Sequence, residues 1–360
     1  MPSTTQQNAL FQPPVETAGA ESRPKKQEAT TPAEESLDAL GLRPASEFAE
    51  DADGAVASPG LYRGVPEELY HAHPALSRSV LAEAARMSPM HARYKWRGGD
   101  EGNSSDATSL GTALHSRVLQ PGVYEDTYDV ALSRCEATKG DGDRCTYSAK
   151  VRHGGDWYCG THAPDGEPDD IEVLKADTAG QVERMAEALE VDPDAAPLLF
   201  GLPGASEVTA LWQDEATGLM CKARPDRIIG LPDGVAIVDV KTTRSAHPED
   251  FRRKMAKYGY WLQPPFYTLG IRQASEQSGN AEGVPVKDFV FACVESSEPY
   301  ATQCFRPHPR EQQAKRTRMA ELIDRVAECE QQAHWPSYET GVSTLGLKRY
   351  EKERMGISAG

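Results

Sequence analysis

The chain has 360 residues, of which 39% are hydrophobic and 26% charged, as in a globular protein of one large or two ordinary domains. This composition excludes a collagen-like protein, and no apolar run of about 18 residues is present to form a transmembrane helix. The net charge of -16 is concentrated in two segments, since residues 1–60 carry ten acidic and four basic side chains and residues 163–200 carry eleven and two. The remainder is nearly neutral, so the total charge does not exclude a polyanionic partner.

The N-terminal segment lacks the signals of a folded domain. Residues 1–56 are rich in Pro, Ala, Glu, Ser and Thr without apolar periodicity, which predicts a disordered acidic tail. The first residues lack the basic and apolar regions of a secretion signal, so we expect a cytoplasmic protein with no membrane attachment. Apolar residues at helical spacing predict a helix that begins after a serine cap near Leu76–Ser79 and ends or kinks at Pro89.

The middle of the chain, residues 107–200, combines helical patterns with a cysteine-bearing insert. A second helix is predicted over 107–119, stopped by Pro121-Gly122, and a short strand near 128–132 completes the first part of a core spanning 57–134. An insert at 135–163 contains cysteine and glycine. It is followed at 164–200 by an acidic linker and a polar helix that we expect to lie on the solvated surface.

Residues 201–345 carry the remaining core elements, before a C-terminal tail at 346–360. Alternating residues around a turn at 214–218 predict a β-hairpin of 206–213 with 219–229. The apolar run 235–240 predicts a central, buried strand. The following patterns predict, in order, helices at 248–258 and 264–275, strands at 288–295 and 300–306, and a helix at 309–333. The order of elements predicts an α/β fold with a mixed central sheet flanked by helices.

Two short acidic motifs carry the strongest chemical signal. Asp226 follows Pro225 near the end of one predicted strand, and Asp239 and Lys241 end the next. Because side chains alternate along a strand, Asp239 and Lys241 project from one face while Val240 points the other way. If the strands pair, Asp226 approaches Asp239, and the two carboxylates favour a bound Mg²⁺ or Mn²⁺. Metal and lysine together suit phosphodiester hydrolysis, whereas a surface ion pair of Asp239 with Lys241 is the alternative.

These motifs belong to a longer series of residues in one order. The series is Gly111–His115, Glu207, Pro225-Asp226, Asp239–Thr243, and Gln263 with Tyr267. In this order the residues resemble the PD-(D/E)xK nuclease superfamily, and most closely the RecE-like (exonuclease VIII type) phage recombination exonucleases. The resemblance covers roughly residues 61–345 without the cysteine insert. It implies a restriction-endonuclease-like core.

The resemblance also implies a role for each residue of the series. The implied ligands of a catalytic Mg²⁺ or Mn²⁺ are His115, Asp226, Asp239 and the carbonyl of Val240. Lys241 would be the catalytic lysine, and Glu207 would assist the metal site or the attacking water. Gln263 and Tyr267 would contact DNA near the scissile phosphate.

Two of these positions also have a structural interpretation, and the place of a third in its helix is open. A histidine such as His115 on an apolar helix is typical of a satisfied core residue, and Glu207 also fits an exposed strand position. Gln263 and Tyr267 would share one helix face, but Pro264-Pro265 intervene. Since proline is tolerated at a helix start, Gln263 either begins the helix or precedes it.

The insert carries a pattern of metal ligands. Its spacing is C-x9-C-x13-C-x2-H, formed by Cys135, Cys145, Cys159 and His162. Three thiolates and an imidazole are typical of a closed tetrahedral Zn²⁺ site, and so short a segment would hardly fold without metal. The insert resembles small treble-clef-like zinc modules. The alternatives are a loop with incidental cysteines and a redox disulfide.

Basic residues predict contacts with the phosphate backbone. One cluster, Arg252, Arg253 and Lys254, lies on a predicted helix, and the insert is basic as well. A solvated helix face is the alternative interpretation.

The combined sequence evidence predicts a Mg²⁺-dependent deoxyribonuclease. By the resemblance it would be a 5′ to 3′ exonuclease on linear double-stranded DNA, in the bacterial host cytoplasm if phage-encoded. It would form a ring-shaped homo-oligomer and supply single strands to an annealing protein in homologous recombination. The alternatives are a structure-specific or defence endonuclease on the same core, and a non-catalytic, zinc-containing DNA-binding or adaptor protein.

Overall fold

The computed structural model describes most of the chain beyond residue 29. The described residues are 30–48, 57–99, 106–130, 135–140, 142–147, 149–166, 169, 171–280, 282–338, 341–342 and 344–356. The tail predicted over 1–56 therefore lies outside the described residues except for 30–48. None of the described helices is long and apolar enough to cross a lipid bilayer.

The described part of the chain contains both helices and strands. The helices are α1 Pro32–Asp38, α2 Glu67–Ala72, α3 Arg78–Arg86, α4 Pro89–Trp96, α5 Asp106–Leu119, α6 Pro121–Thr127, α7 Ala176–Val191, α8 Pro248–Tyr258, α9 Gln263–Gln277, α10 Gln312–Gln331 and α11 Arg349–Arg354. The strands are β1 Arg43–Pro44, β2 Gly60–Arg63, β3 Leu76–Ser77, β4 Tyr128–Val130, β5 Val151–His153, β6 Asp156–Tyr158, β7 Glu172–Leu174, β8 Gly204–Ser206, β9 Thr209–Gln213, β10 Met220–Ala223, β11 Arg227–Leu231, β12 Gly234–Thr243, β13 Val286–Glu295 and β14 Thr302–Phe305.

The central sheet has the strand order β14-β13-β12-β11-β8. The long strand β12 lies in its middle, antiparallel to β11 and parallel to β13. A return to a parallel neighbour requires a crossover, which α8 and α9 supply between β12 and β13. The predicted mixed sheet flanked by helices is confirmed, as is the central, buried position of the 235–240 run.

A second sheet with the order β1-β2-β9-β10-β3 adjoins the first along the chain. Strands β9 and β10 form the predicted hairpin. The predicted bounds of both strands are wrong, because Ser206 belongs to β8 and 227–229 belong to β11, both in the central sheet. The chain leaves the second sheet after Ala223 and enters the central sheet at Arg227, and Pro225, which lacks an N–H for a ladder, lies at the crossover.

Side chains from the two faces of β12 enter different cores. Val235 and Ile237 pack with α3, α9 and α10, whereas Ala236, Val238 and Val240 pack with α5 and α7. Asp239 and Lys241 therefore lie on the α9 side of the sheet, and the Val240 side chain lies on the α5 side, as the alternation predicts.

Two predictions about the acidic segments are wrong within the described residues. Helix α1 packs against β11, with the carbonyl of Ala33 against Gly230, and Leu40 and Phe48 are buried, so 30–48 are part of the fold and not of a disordered tail. Helix α7 is not a solvated surface element. It buries an apolar face formed by Ala179, Val182, Met185, Ala186 and Leu189, and only its other face carries the acidic residues that suggested a linker.

The cysteine insert leaves the core between two neighbouring strands. Strands β4 and β7 pair in parallel, so the chain departs after Val130, at the end of β4, and returns at Glu172, opposite Tyr128 at the start of β4. Within the insert, β5 and β6 form an antiparallel hairpin. The insert is thus anchored at both ends by one strand pair.

Helix α5 lies before β4 in the chain and ends at Leu119, just before Pro121, as expected. Pro121 then begins a further helix, α6, which leads into β4.

Candidate active site and cysteine cluster

The two acidic motifs meet on paired strands. Arg227 lies opposite Val238 in the antiparallel register of β11 and β12, which brings the preceding Asp226 beside Asp239. The backbone N–H of Val240 donates to Asp226 Oδ2 at 2.7 Å. Asp239 is fully buried and Asp226 is 8% exposed. The strand pairing therefore fixes two carboxylates next to each other at the edge of the core.

Lys241 forms an ion pair with Asp239 on the same face of β12. Its ammonium group also lies 5.0 Å from the centroid of the Tyr260 ring. Burial opposes the charge on Lys241, but Asp239 and Asp226 outweigh it and raise the pKa of the amine well above its usual value. The lysine is thus a fixed cation at the carboxylate pair.

His115 and Glu207 complete the cluster from two other elements. The Nδ1 atom of His115, on α5, lies 3.7 Å from Asp226 Oδ2, and its Nε2 lies 3.1 Å from the carbonyl oxygen of Val240. Glu207 lies between β8 and β9, where its N–H donates to the Asp226 carbonyl at 2.9 Å. His115, Glu207 and Asp226 each offer one ligand atom within 4.8 Å of the others.

The structure differs from the predicted setting of Glu207 and Asp239. Glu207 is not on a strand, because its positive φ of 53° turns the chain from one sheet to the other, a strained conformation of the kind found at functional sites. Asp239 is not part of the three-residue group, since its carboxylate faces Lys241 and Gln263. One imidazole and two carboxylates, with a third carboxylate beside them, fit a divalent cation such as Mg²⁺ or Mn²⁺.

The carboxylates have perturbed acidities. Burial, reinforced by Asp226, raises the pKa of Glu207 to about 8, although Arg224 opposes this effect with its Nε 2.7 Å from Glu207 Oε2. Burial raises the pKa of Asp239 to about 6, with Lys241 opposing and Asp226 adding to the shift. Cations that neutralise this cluster are therefore favoured.

Gln263 begins helix α9 and is 2% exposed. Its side-chain amide donates to Asp239 Oδ1 at 2.7 Å and lies 3.4 Å from the Tyr267 hydroxyl. The Gln263 amide is therefore turned inward to hold Asp239, and its expected contact with DNA stays a prediction. Tyr267 is 8% exposed and reaches the edge of the cleft described next.

The cluster opens into a cleft of about 2150 Å³ between α2, α3, α5 and α8. Of the three basic residues predicted to bind DNA, Arg253 and Lys254 line this cleft. Lys254 Nζ also donates to the Thr242 carbonyl at 2.8 Å. Arg252 projects elsewhere and pairs with Glu249 on the exposed side of α8. The cleft therefore joins the acidic cluster to a partly basic wall.

The four predicted ligands of the insert lie together. One atom from each of Cys135, Cys145, Cys159 and His162 lies within 4.8 Å of the others. His162 Nδ1 is 3.6 Å from Cys135 Sγ and 3.5 Å from Cys159 Sγ. Although burial opposes it, the backbone N–H groups of Thr161 and His162 lower the pKa of Cys159 to about 6. This cluster could bind zinc.

Arg224 and Tyr260 touch the site but were missed by the sequence reasoning. Arg224 directly precedes the Pro225-Asp226 motif, and that proximity is the signal that could have identified it. Tyr260 reaches Lys241 only through the turn after α8, which no local pattern reveals.

The paired acidic strand ends, with a lysine two residues after the second acid, define a PD-(D/E)xK-type nuclease fold. The chain belongs to the family described as PDDEXK-like domain of unknown function (DUF3799), whose model matches residues 77–344.

Solved structures resemble the chain only distantly. A candidate exonuclease from Eubacterium rectale has a TM-score of 0.45 and 15% identity, covering 82% of this chain and 98% of that one. The protein SSO0001 has a TM-score of 0.23 and 15% identity, covering 41% of this chain and 59% of that one. A comparison with curated proteins gave no match. The class of the protein therefore rests on the family match and on the site.

Proposed function

We propose that the protein is a divalent-metal-dependent deoxyribonuclease whose active site is the Asp226, Asp239 and Lys241 cluster. The main support for this proposal is that paired strands hold Asp226 next to Asp239, with Lys241 ion-paired to Asp239. His115 and Glu207 lie close to Asp226 and complete the cluster. Buried carboxylates assembled around one point, at the floor of an open cleft, form a site for metal-assisted hydrolysis.

Each residue has a task in this reaction. His115, Asp226 and Glu207, with Asp239 behind them, would hold a Mg²⁺ or Mn²⁺ that polarises the phosphoryl oxygen and favours ionisation of a water. Lys241 places a fixed positive charge where the attacking hydroxide and the pentacoordinate phosphorus of the transition state carry negative charge. Gln263 orients Asp239 through its amide hydrogen bond, and so keeps the carboxylate at Lys241.

The finer proposal is 5′ to 3′ degradation of linear double-stranded DNA. Its support is the resemblance of the motif series to the RecE-like recombination exonucleases. On this proposal the enzyme works in the cytoplasm as a ring-shaped homo-oligomer and passes single strands to an annealing protein. A closed circle separates this activity from an endonuclease, because an exonuclease requires an end.

The test is digestion of a 5′-labelled linear duplex beside a closed circle, with Mg²⁺, Mn²⁺ or EDTA. We expect metal-dependent release of label from the linear DNA alone. The variant Asp239→Asn should be inactive, whereas Asp288→Asn, at a partly exposed carboxylate paired with Arg306 just after the neighbouring strand, should retain activity. Cutting of the circle would show that the enzyme is an endonuclease and not an exonuclease. Failure to cut either DNA with both metals would refute the nuclease.

We further propose a structural Zn²⁺ in the cysteine cluster. Among the described residues of the insert, the buried ones are Cys135, Cys145, Ala149 and Cys159, with Ala137 and Tyr158 packed against the cysteines. So small a core does not offset the entropy of ordering the segment without a metal.

Metal analysis of the purified protein tests the zinc proposal. We expect one zinc per chain, lost in Cys159→Ser and kept in Cys304→Ser, which changes a partly buried cysteine outside the cluster. Absence of zinc from the unmodified protein, or equal zinc in both variants, would contradict it.

A further inference from the structure

Two tyrosine rings are stacked beside the candidate catalytic lysine. Tyr258 ends α8 and Tyr260 follows the turn at Gly259, and their ring centroids are 5.7 Å apart at an interplanar angle of 26°. Gly259 has a φ of 68°, and a Cβ at this position would lie 2.8 Å from the Cβ of Ala82. The tight turn that brings the two rings together therefore depends on glycine.

The two rings lead from the acidic cluster to the open cleft. Tyr260 is partly buried and lies 5.0 Å from Lys241 Nζ. Tyr258 is 46% exposed, and both tyrosines line the cleft. Packing within the core explains the position of the inner ring, Tyr260, but not that of Tyr258, which lies in the wall of the cleft that also contains the lysine.

Basic residues of α8 line the cleft together with the exposed ring. Arg253, Lys254 and Lys257 line the same cleft from α8, at a spacing that places them with Tyr258 on one helix face. Lys257 Nζ lies 5.1 Å from the Tyr258 ring centroid. An aromatic ring beside cations is the combination that proteins use to hold single-stranded nucleic acid, because the ring stacks on a base while the cations contact phosphates.

We propose that Tyr258 and Tyr260 form a stacking site for an unpaired nucleobase next to the scissile phosphate, with Lys257 contacting the adjoining phosphate. This inference rests on the proposed nuclease function and specifies the form of its substrate. A base inside a duplex is covered on both sides by its neighbours, so only a terminal or unpaired base can lie on the ring. The site therefore selects DNA that presents a strand end or a separated strand at the active site.

Binding measurements on the full chain test the site, with Ca²⁺ in place of Mg²⁺ to avoid cleavage. The ligands are a single-stranded oligonucleotide carrying 2-aminopurine and a covalently closed circular duplex, which presents neither a terminal nor an unpaired base. Tyr258→Ala should weaken single-strand binding about fivefold to a hundredfold, the range that one base–aromatic stack contributes. Tyr258→Phe should bind like the unmodified protein, and the control Tyr350→Ala removes an exposed tyrosine outside the cleft.

An abasic position in the oligonucleotide provides the sharper readout. Removing one base should weaken binding to the unmodified protein as much as Tyr258→Ala does. In the Tyr258→Ala variant, the abasic and the intact oligonucleotide should bind with equal affinity. If Tyr258→Ala and the unmodified protein have the same single-strand affinity and the same 2-aminopurine fluorescence, the stacking site is refuted. Cleavage of DNA by the unmodified protein would in that case still support the nuclease function. A protein that neither binds nor cuts DNA would overturn both.

Discussion

Replacing Gln263 by Leu tests whether this residue positions Asp239 or contacts DNA. The substitution keeps the approximate shape and removes the 2.7 Å bond to Asp239 Oδ1. A hydrogen bond to a charged group contributes about 1.5–3 kcal/mol, which corresponds to roughly tenfold to a hundredfold. Because Asp239 is fully buried, no water replaces the lost donor. We therefore expect a loss of this size in apparent Mg²⁺ affinity or in kcat.

The assay is the initial cleavage rate as a function of Mg²⁺ concentration, with DNA affinity measured separately. Gln273→Leu is the matched control, since Gln273 is buried further along the same helix and no described hydrogen bond links it to the site. Gln273→Leu should leave the Mg²⁺ dependence unchanged. If Gln263→Leu weakens DNA binding at saturating Mg²⁺ while its metal dependence stays that of the unmodified protein, the positioning role is refuted and the DNA contact implied by the resemblance stands.

Three further predictions follow from the charges of the site and its surroundings. Lys241→Met should lower the cleavage rate by roughly a hundredfold to a thousandfold with little change in DNA affinity, because the transition-state charge loses its fixed cation. Apparent Mg²⁺ affinity should fall as the pH is lowered from 8 to 6, since Glu207, with a pKa of about 8, and Asp239, with a pKa of about 6, must release protons to bind metal. Lys222→Met should reduce the free energy of unfolding by roughly 3 kcal/mol in urea denaturation, because its amine donates to the carbonyls of Tyr70, His71 and His73.

Each of these predictions has a contradicting result. Wild-type cleavage by Lys241→Met would exclude its catalytic role, and Lys287→Met, at a lysine paired with Asp233 on the surface, controls for loss of charge alone. A Mg²⁺ affinity independent of pH over this range would show that neither raised carboxyl pKa governs metal binding. An unchanged urea midpoint for Lys222→Met would show that water satisfies the three carbonyls.

The pairing of the acidic motifs could be predicted because it depends on local rules. Strand alternation fixes Asp239 and Lys241 on one face and Val240 on the other, and the hairpin of β11 and β12 leaves one register for Asp226. The helix positions of His115 and Tyr267 follow from apolar periodicity in the same way. These rules operate within a few residues, and their results are confirmed in the structure.

The contacts that sequence reasoning missed depend on packing between distant segments. The apolar spacing of α1 is too short to indicate burial, yet the absence of a side chain at Gly230 lets the Ala33 carbonyl approach β11. The Gln263 side chain turns inward because the buried carboxylate of Asp239 requires a hydrogen-bond donor. The residues next to Gln263 in the sequence do not indicate this orientation. Local patterns contain no information about either partner.

The crossover between the two sheets explains why the site forms where it does. The chain passes from the central sheet to the second sheet at Glu207, returns at Asp226, and the bond from the Glu207 N–H to the Asp226 carbonyl joins the two crossings. Because the chain is outside the regular strands at each crossing, the side chains of Glu207 and Asp226 can point toward His115 instead of packing against a sheet. A sequence pattern shows two acidic residues far apart in the chain. Only the change of sheets at both places brings them to one cation site, so the departure from regular strand structure creates the arrangement on which the proposed chemistry depends.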